Sequence, residues 1–66
     1  MIVYTPLWET MKAKGFTTYT LREKHNMSSS TIQRMKKNMS VSTNTLNDLC
    51  KFLKCNLSDI AEYIEE

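Results

Sequence analysis

Hydroxyl, amide and guanidinium side chains are concentrated between residues 28 and 37. Gln33 can pair in a bidentate way with adenine, and Arg34 with guanine or with a phosphate. Ile32 and Met35 are three residues apart, a spacing that would turn one face of a helix inward and leave its polar side chains outward. The outward set comprises Ser29, Ser30, Gln33, Arg34 and Lys37. Such a face has the chemistry needed to meet the base edges and phosphates of a nucleic-acid groove.

The residues just before this helix predict that a tight turn positions it. Leu21 is the apolar anchor of a preceding short helix, and Asn26 stands where the chain needs a residue that tolerates a positive φ. Met27 would pack at the turn between the two helices, and Ser28 has the hydroxyl that caps the following helix. The pattern is that of a helix-turn-helix, whose second helix reads DNA.

Capping and turn residues divide the rest of the chain into short helices after an apolar segment, Met1 to Tyr4, that suggests a short strand or a strapping segment. Five helices are expected: the first capped by Thr5 and ended by Gly15, the second capped by Thr17 or Thr18 and ending near His25, the third from the Ser28 cap to about Lys37, the fourth capped by Ser42, and the fifth opened by Asn56. The apolar stripe of the fourth contains Leu46, Leu49, Cys50 and Leu53, and that of the fifth contains Leu57, Ile60, Tyr63 and Ile64. Residues 1–66 are therefore interpreted as a single all-α domain.

Charge is distributed unevenly along the chain. The net charge is +2, but residues 1–37 carry seven basic and two acidic side chains, whereas the remainder carries two basic and five acidic ones. The positive half coincides with the helix-turn-helix, so a phosphate backbone would be attracted to that end of the molecule. The alternative is that these cations simply solvate exposed helix faces.

Size and composition exclude several other classes of function. A chain of 66 residues is near the lower limit for an unaided core, which argues against a buried active-site cavity. No catalytic triad, phosphate loop or metal-ligand set can be assembled around the one histidine, His25. Cys50 and Cys55 are expected to be buried, reduced thiols. We therefore expect a cytoplasmic, non-enzymatic protein with no metal, no cofactor, no small-molecule ligand and no membrane segment.

The segment G-F-T-T-Y-T-L-R-E-K-H-N-M-S-S-S-T-I-Q-R-M-K-K-N, the helix-four entry S-T-N-T-L-N-D-L-C-K-F-L and the closing C-N-L-S-D-I-A-E-Y resemble the lambda repressor and Cro family, also called the XRE type. The resemblance covers roughly Leu7 to Tyr63. It implies a compact five-helix DNA-binding domain and a role as a transcriptional regulator, with repression favoured over activation. The chain departs from the family pattern at Arg22, where alanine is common, at Asn26, which replaces the turn glycine, and at His25, which replaces an apolar residue.

The resemblance also implies which residues contact DNA. Base contacts fall to Ser28, Ser29, Ser30, Gln33 and Arg34; phosphate contacts fall to Thr17, Thr18, Tyr19, Lys36, Lys37, Asn38 and Ser40. Simpler roles remain open for Ser28, as a helix cap alone, and for Tyr19, as a partly packed side chain.

The expected partners are double-stranded DNA and a second copy of the chain, because family members are frequently dimers on roughly two-fold sites. Helix five, with Tyr63 and Ile64, and the unpaired strand edge of residues 2–4 are the candidate dimer surfaces. The alternative function is a protein-interaction module, such as an antitoxin or accessory regulator, that kept the fold but lost specific DNA binding.

Overall fold

The computed structural model describes residues 1–66, and side-chain caps begin three of its four α-helices. In chain order the elements are β1 (Ile2–Val3), α1 (Thr5–Ala13), α2 (Thr18–His25), α3 (Ser29–Lys36), α4 (Thr43–Leu53), a 3-10 turn (Leu57–Asp59) and β2 (Glu62–Tyr63). The helix-turn-helix predicted from the sequence corresponds to α2 and α3.

Two of the three polar caps, Ser28 and Ser42, are those predicted, and the third is Thr17, one of the two residues predicted for α2. Thr17, Ser28 and Ser42 each accept a hydrogen bond from the backbone N–H three residues later, which satisfies a donor that the first turn of a helix leaves without a partner. The predicted cap at Thr5 was wrong, because Thr5 is already helical and Tyr4 precedes the helix without a side-chain cap. Pro6 lies in the first turn of α1, where its missing N–H costs no hydrogen bond.

The predicted fifth helix is the main correction to the expected fold. The chain forms only the 3-10 turn and then extends into β2, which pairs antiparallel with β1 in the register Ile2↔Tyr63 and Val3↔Glu62. Of the predicted apolar stripe, only Ile60 is buried. Each of the two short strands provides hydrogen-bond partners for backbone groups of the other. A fifth helix in place of β2 would have left β1 without a partner in this chain. The predicted strand edge at residues 2–4 is thus paired within the same molecule.

The core joins every helix to the N-terminal strand segment. Its nine contiguous side chains are all 4% exposed or less: Tyr4, Leu7, Met11, Leu21, Ile32, Met35, Leu49, Leu53 and Ile60. Trp8, Phe16 and Met27 pack against this cluster from partly buried positions. Leu21 of α2 and Ile32 and Met35 of α3 meet here, so the core fixes how α3 is presented.

His25 fills the place of an apolar residue by stacking. Its ring lies 4.0 Å from the Phe52 ring and 5.9 Å from the Phe16 ring, between centroids, with interplanar angles of 19° and 12°. The imidazole therefore joins the end of α2 to α4 through aromatic contacts.

Cys50 and Cys55 are free thiols. They were predicted to be buried, but both are partly exposed. Burial raises the pKa of the Cys55 thiol above its ordinary value, and the neighbouring Cys50 thiol and the Asp59 carboxylate raise this pKa further.

Candidate nucleic-acid interface

The turn between α2 and α3 depends on Asn26. This residue adopts the left-handed conformation (φ 54°, ψ 30°), which asparagine tolerates better than most residues other than glycine. The N–H of Met27 donates to the carbonyl of Leu21 at 3.1 Å, which closes the end of α2. Ser28 then returns to extended backbone and caps α3. The prediction for Asn26 is confirmed, and it explains how this chain makes the turn without glycine.

The outward surface of α3 is polar and exposed. Ile32 and Met35 are 3% and 1% exposed and hold the helix to the core. Thr31 is partly buried, and the other side chains of α3 are exposed: Ser29, Ser30, Gln33, Arg34 and Lys36, followed by Lys37 just beyond the helix. Gln33 lies four residues after Ser29, three after Ser30 and four before Lys37. Its side chain is therefore at the centre of this surface.

A shallow groove between α2 and α3 brings together residues from both helices. It has a volume of about 170 Å³ and is lined by Thr18, Arg22, Ser29, Ile32, Gln33 and Lys36. Four of these were predicted as DNA contacts, namely Thr18, Ser29, Gln33 and Lys36. Arg22 was not. The signal for it was present in the sequence, because Arg22 is four residues after Thr18 and so lies on the same helix face. Its exposed side chain points away from the core, as an arginine at a usually small position requires.

The N-terminus of α2 adds backbone donors beside this groove. The hydroxyl of Thr17 accepts from the N–H of Thr20 at 3.2 Å, and the hydroxyl of Thr20 accepts from the N–H of Thr17 at 3.4 Å. The N–H groups of Thr18 and Tyr19 have no acceptor within the helix, as expected for its first turn. Tyr19 itself is 63% exposed, so the partly packed alternative does not apply. Free N–H groups and the positive end of the helix dipole favour an anion at this end.

Some predicted contact residues also hold the protein together. The hydroxyl of Ser28 accepts from the N–H of Thr31 at 3.2 Å as the cap of α3. Arg34 donates from Nε to the carbonyl oxygen of Ser40 at 3.0 Å and from Nη2 to its hydroxyl at 3.4 Å. Asn38 accepts from the N–H of Tyr4 at 3.1 Å through Oδ1. Arg34, Ser40 and Asn38 do not line the groove between α2 and α3.

Arg34 and Ser40 line a second polar groove, of about 330 Å³, at the start of α4. The other lining residues are Thr31, Val41, Ser42 and Thr45. Ser42 and Thr45 were not predicted as contacts, although Ser42 was identified as a cap. The grooves on the two sides of α3 thus each combine hydroxyls with an arginine.

None of the lysine and arginine side chains forms an ion pair. The structure contains one such pair, between the N-terminal ammonium and the Glu66 carboxylate at 3.3 Å. The cations of α2 and α3 are therefore free to interact with an external polyanion. No three histidine, cysteine or acidic side chains converge in a way that could hold a metal ion. None of the helices combines the length with the apolar character that spanning a bilayer requires.

Comparison with known proteins agrees with this geometry. Residues 6–66 match the family model described as the Cro/C1-type HTH DNA-binding domain. The structure is also similar to the crystal structure of the transcriptional regulator VanUg (Form II), with a TM-score of 0.89 and 32% sequence identity over 98% of this chain and 87% of that one. No curated protein matches the sequence. With its helix-turn-helix at α2 and α3, an exposed polar α3 and a family match over nearly its whole length, the chain belongs to the Cro/C1-type helix-turn-helix DNA-binding family.

Proposed function

We propose that the chain is a sequence-specific regulator of transcription that inserts α3 into the major groove of double-stranded DNA. The observation that carries this proposal is the exposed polar surface of α3, flanked by cations that have no ion-pair partner in the protein. The major groove admits an α-helix and presents a distinct donor and acceptor pattern for each base pair. A helix with this surface on a Cro/C1-type fold is suited to that role.

We assign the central base contact to Gln33. Its side-chain amide has an N–H donor for N7 of adenine and a carbonyl acceptor for the N6 amino group, so it can make both hydrogen bonds of a bidentate pair. Ser29 and Ser30 flank it with short hydroxyls that can serve any base. The hydroxyl of Ser28 is already used in the cap, and two N–H groups of Arg34 are used by Ser40. The remaining N–H groups of Arg34 can still reach guanine or a phosphate.

Phosphate contacts would border this surface on both sides. Beside α2, the N–H groups at its N-terminus, Arg22 and Lys36 offer donors and positive charge around one groove. Beyond the end of α3, Lys37, Asn38 and Ser40 offer donors for the neighbouring part of the backbone. Such contacts fix the register of a protein on DNA, while base contacts provide its sequence preference.

Repression by occupancy is the simplest regulatory outcome for a domain of this size. A single recognition unit buries only about 600–1,000 Å² of surface on DNA, so two copies on half-sites about one helical turn apart would bind far more tightly. A pair bound across a promoter would exclude the transcription machinery from the same DNA.

The direct test is a fluorescence-anisotropy titration against the DNA upstream of the chain's own gene and against a scrambled duplex, at low and near-physiological salt. We expect tighter binding to the upstream DNA that persists at the higher salt. Equal binding to both duplexes that disappears with salt would leave only electrostatic attraction. That result would refute specific DNA binding and favour the protein-interaction alternative.

Two pairs of variants separate base contacts from phosphate contacts. Gln33→Ala should lose about 1–3 kcal/mol on the preferred duplex and almost nothing on the scrambled one. Asn47→Ala, which removes an exposed amide from α4, is its control. Lys36→Gln should weaken binding to both duplexes and lower the salt slope by about 0.9, whereas Lys51→Gln, on α4, should not. Equal losses for each variant and its control would contradict the proposed docking of α3.

A further inference from the structure

The end of α4 brings the two cysteines of the chain together. Lys54 adopts the left-handed conformation (φ 52°, ψ 53°), and the N–H of Cys55 donates to the carbonyl of Cys50 at 3.1 Å. This hydrogen bond across a left-handed residue is characteristic of the Schellman motif, in which the side chains of the bonded residues commonly contact one another. The same bond ends α1, at 2.8 Å between Phe16 and Met11, and the side chains there are apolar. At the end of α4 they are two free thiols.

The two thiols are neighbours and can be reached from solvent. The Cys50 thiol is among the groups that raise the pKa of the Cys55 thiol, so the two are close together. Both side chains are partly exposed, and Cys50 lines an open groove of about 260 Å³ beside Leu46 and Leu57. A small oxidant that enters this groove meets a sulfur atom with a second sulfur atom beside it.

We propose that Cys50 and Cys55 are an oxidation site, at which hydrogen peroxide converts the two thiols into an intramolecular disulfide. The proposal goes beyond the proposed function and does not depend on it, because neither cysteine lines the grooves on the two sides of α3. The disulfide would fasten the end of α4 to the segment that leads into the 3-10 turn.

The reaction has two steps. In the first, the Cys50 sulfur attacks one oxygen of the peroxide: an S–O bond forms, the O–O bond breaks, and the thiol proton leaves with the departing hydroxide as water. In the second, the Cys55 sulfur attacks the sulfenic acid at Cys50: the S–S bond forms, the S–O bond breaks, and the Cys55 proton leaves with hydroxide as a second water. The two thiols together lose two electrons, and these reduce one peroxide to two waters.

The surroundings of the two sulfur atoms assign them to different steps. Cys50 lines the open groove, so it is the sulfur that meets the peroxide. Burial, the Cys50 thiol and the Asp59 carboxylate raise the pKa of the Cys55 thiol, and a protonated thiol is a poor nucleophile toward peroxide. Cys55 is therefore the thiol that closes the disulfide. The backbone bond of 3.1 Å already holds the two residues together, so closure orders little further backbone.

The test is oxidation of the full chain with hydrogen peroxide, followed by tryptic mapping of the monomer band from a non-reducing gel. Lys51 and Lys54 lie between the cysteines, so trypsin separates the peptide that contains Cys50 from the peptide that begins at Cys55 unless a disulfide joins them. We expect the joined pair, lighter by two hydrogens than the two peptides together, and its separation by dithiothreitol. Separate peptides, whether their thiols are unchanged or carry sulfinic acid, or a disulfide found only in a covalent dimer, would overturn the proposal.

Single variants test the order of the steps. In Cys55→Ser, peroxide should leave a sulfenic acid at Cys50 that dimedone labels, whereas labelling of Cys55 in Cys50→Ser should be at least tenfold slower. Circular dichroism would establish that both variants are folded. Equal labelling rates would contradict the assignment of Cys50 as the thiol that meets the peroxide.

Equilibration of the wild type with glutathione tests whether the fold assembles the pair. The equilibrium constant for disulfide formation should be at least tenfold larger in the folded chain than in the same chain in urea. Equal constants in the two states would mean that the end of α4 does not hold the thiols in a position to bond, and the proposal would fail.

Discussion

Asn38 offers a quantitative test of how the end of the recognition helix is fixed. Its backbone adopts φ 56°, and its Oδ1 accepts the N–H of Tyr4 at 3.1 Å. Asn26 has nearly the same conformation, with φ 54°, but its side chain makes no hydrogen bond. Comparing the two positions therefore separates the contribution of the left-handed backbone from that of the hydrogen bond.

The expected losses follow from these two contributions. Asn38→Gly keeps the conformation but leaves the partly buried N–H of Tyr4 without its acceptor, which costs about 1 kcal/mol, the lower end of the usual range. Asn38→Ala also keeps a Cβ in the left-handed conformation but removes the polar side chain through which asparagine tolerates it, which costs about 1 kcal/mol more. At Asn26 only the conformational term applies, so glycine should be close to neutral and alanine should cost about 1 kcal/mol.

Thermal unfolding followed by far-UV circular dichroism would measure these differences. In a domain of this size about 1 kcal/mol corresponds to a change of roughly 4–8 °C in Tm. We expect Tm to fall from the wild type to Asn38→Gly and again to Asn38→Ala, while Asn26→Gly stays near the wild type. If Asn38→Gly is as stable as the wild type, or if glycine has the same effect at both positions, the hydrogen bond to Tyr4 does not stabilise the fold as argued.

Three further predictions concern other parts of the molecule. His25→Ala should lose about 0.5–1.5 kcal/mol per aromatic contact with Phe16 and Phe52, and His25→Phe should recover most of that loss in urea unfolding; equal stability of the two variants would contradict the stacking role. Thr17→Ala should lower the free energy of unfolding by about 1 kcal/mol because α2 loses its cap, and Thr17→Ser should not, as urea unfolding would show; an unchanged alanine variant would mean that the cap contributes nothing. The pKa of the Cys55 thiol is raised in the folded protein, so deprotonation of this thiol favours the unfolded chain. The contribution of Cys55 to the free energy of unfolding is therefore fully present below the pKa of the unfolded chain. It is lost as the pH rises through the pKa of the folded protein. Alkylation of Cys55, located by peptide mapping, should accordingly be slower at neutral pH in the folded protein than in denaturant and should accelerate at alkaline pH; equal rates in the two states would argue against the raised pKa.

Features that depend on neighbouring residues were predictable from the sequence. The caps at Ser28 and Ser42 and the left-handed turn at Asn26 involve contacts within a few positions, so residue type and spacing identified them. The same signals left Thr17 and Thr18 as alternatives for α2 and wrongly predicted a cap at Thr5. The inward face of α3 followed in the same way from the spacing of Ile32 and Met35. These local signals also carried the resemblance to the family that the comparison confirms.

The tertiary structure decided what the C-terminal segment and several polar side chains do. Leu57, Ile60 and Tyr63 have helical spacing, but pairing with β1, about 60 positions earlier, makes the end of the segment a strand. Similarly, Asn38 binds Tyr4 across 34 positions, a contact that no local pattern records. The apolar groove lined by Met1, Met39 and Leu57 exists only after these distant segments meet. The sequence by itself thus determined the helix-turn-helix and its polar surface, because those depend on short-range spacing; long-range packing decided where that surface ends and what lies beside it.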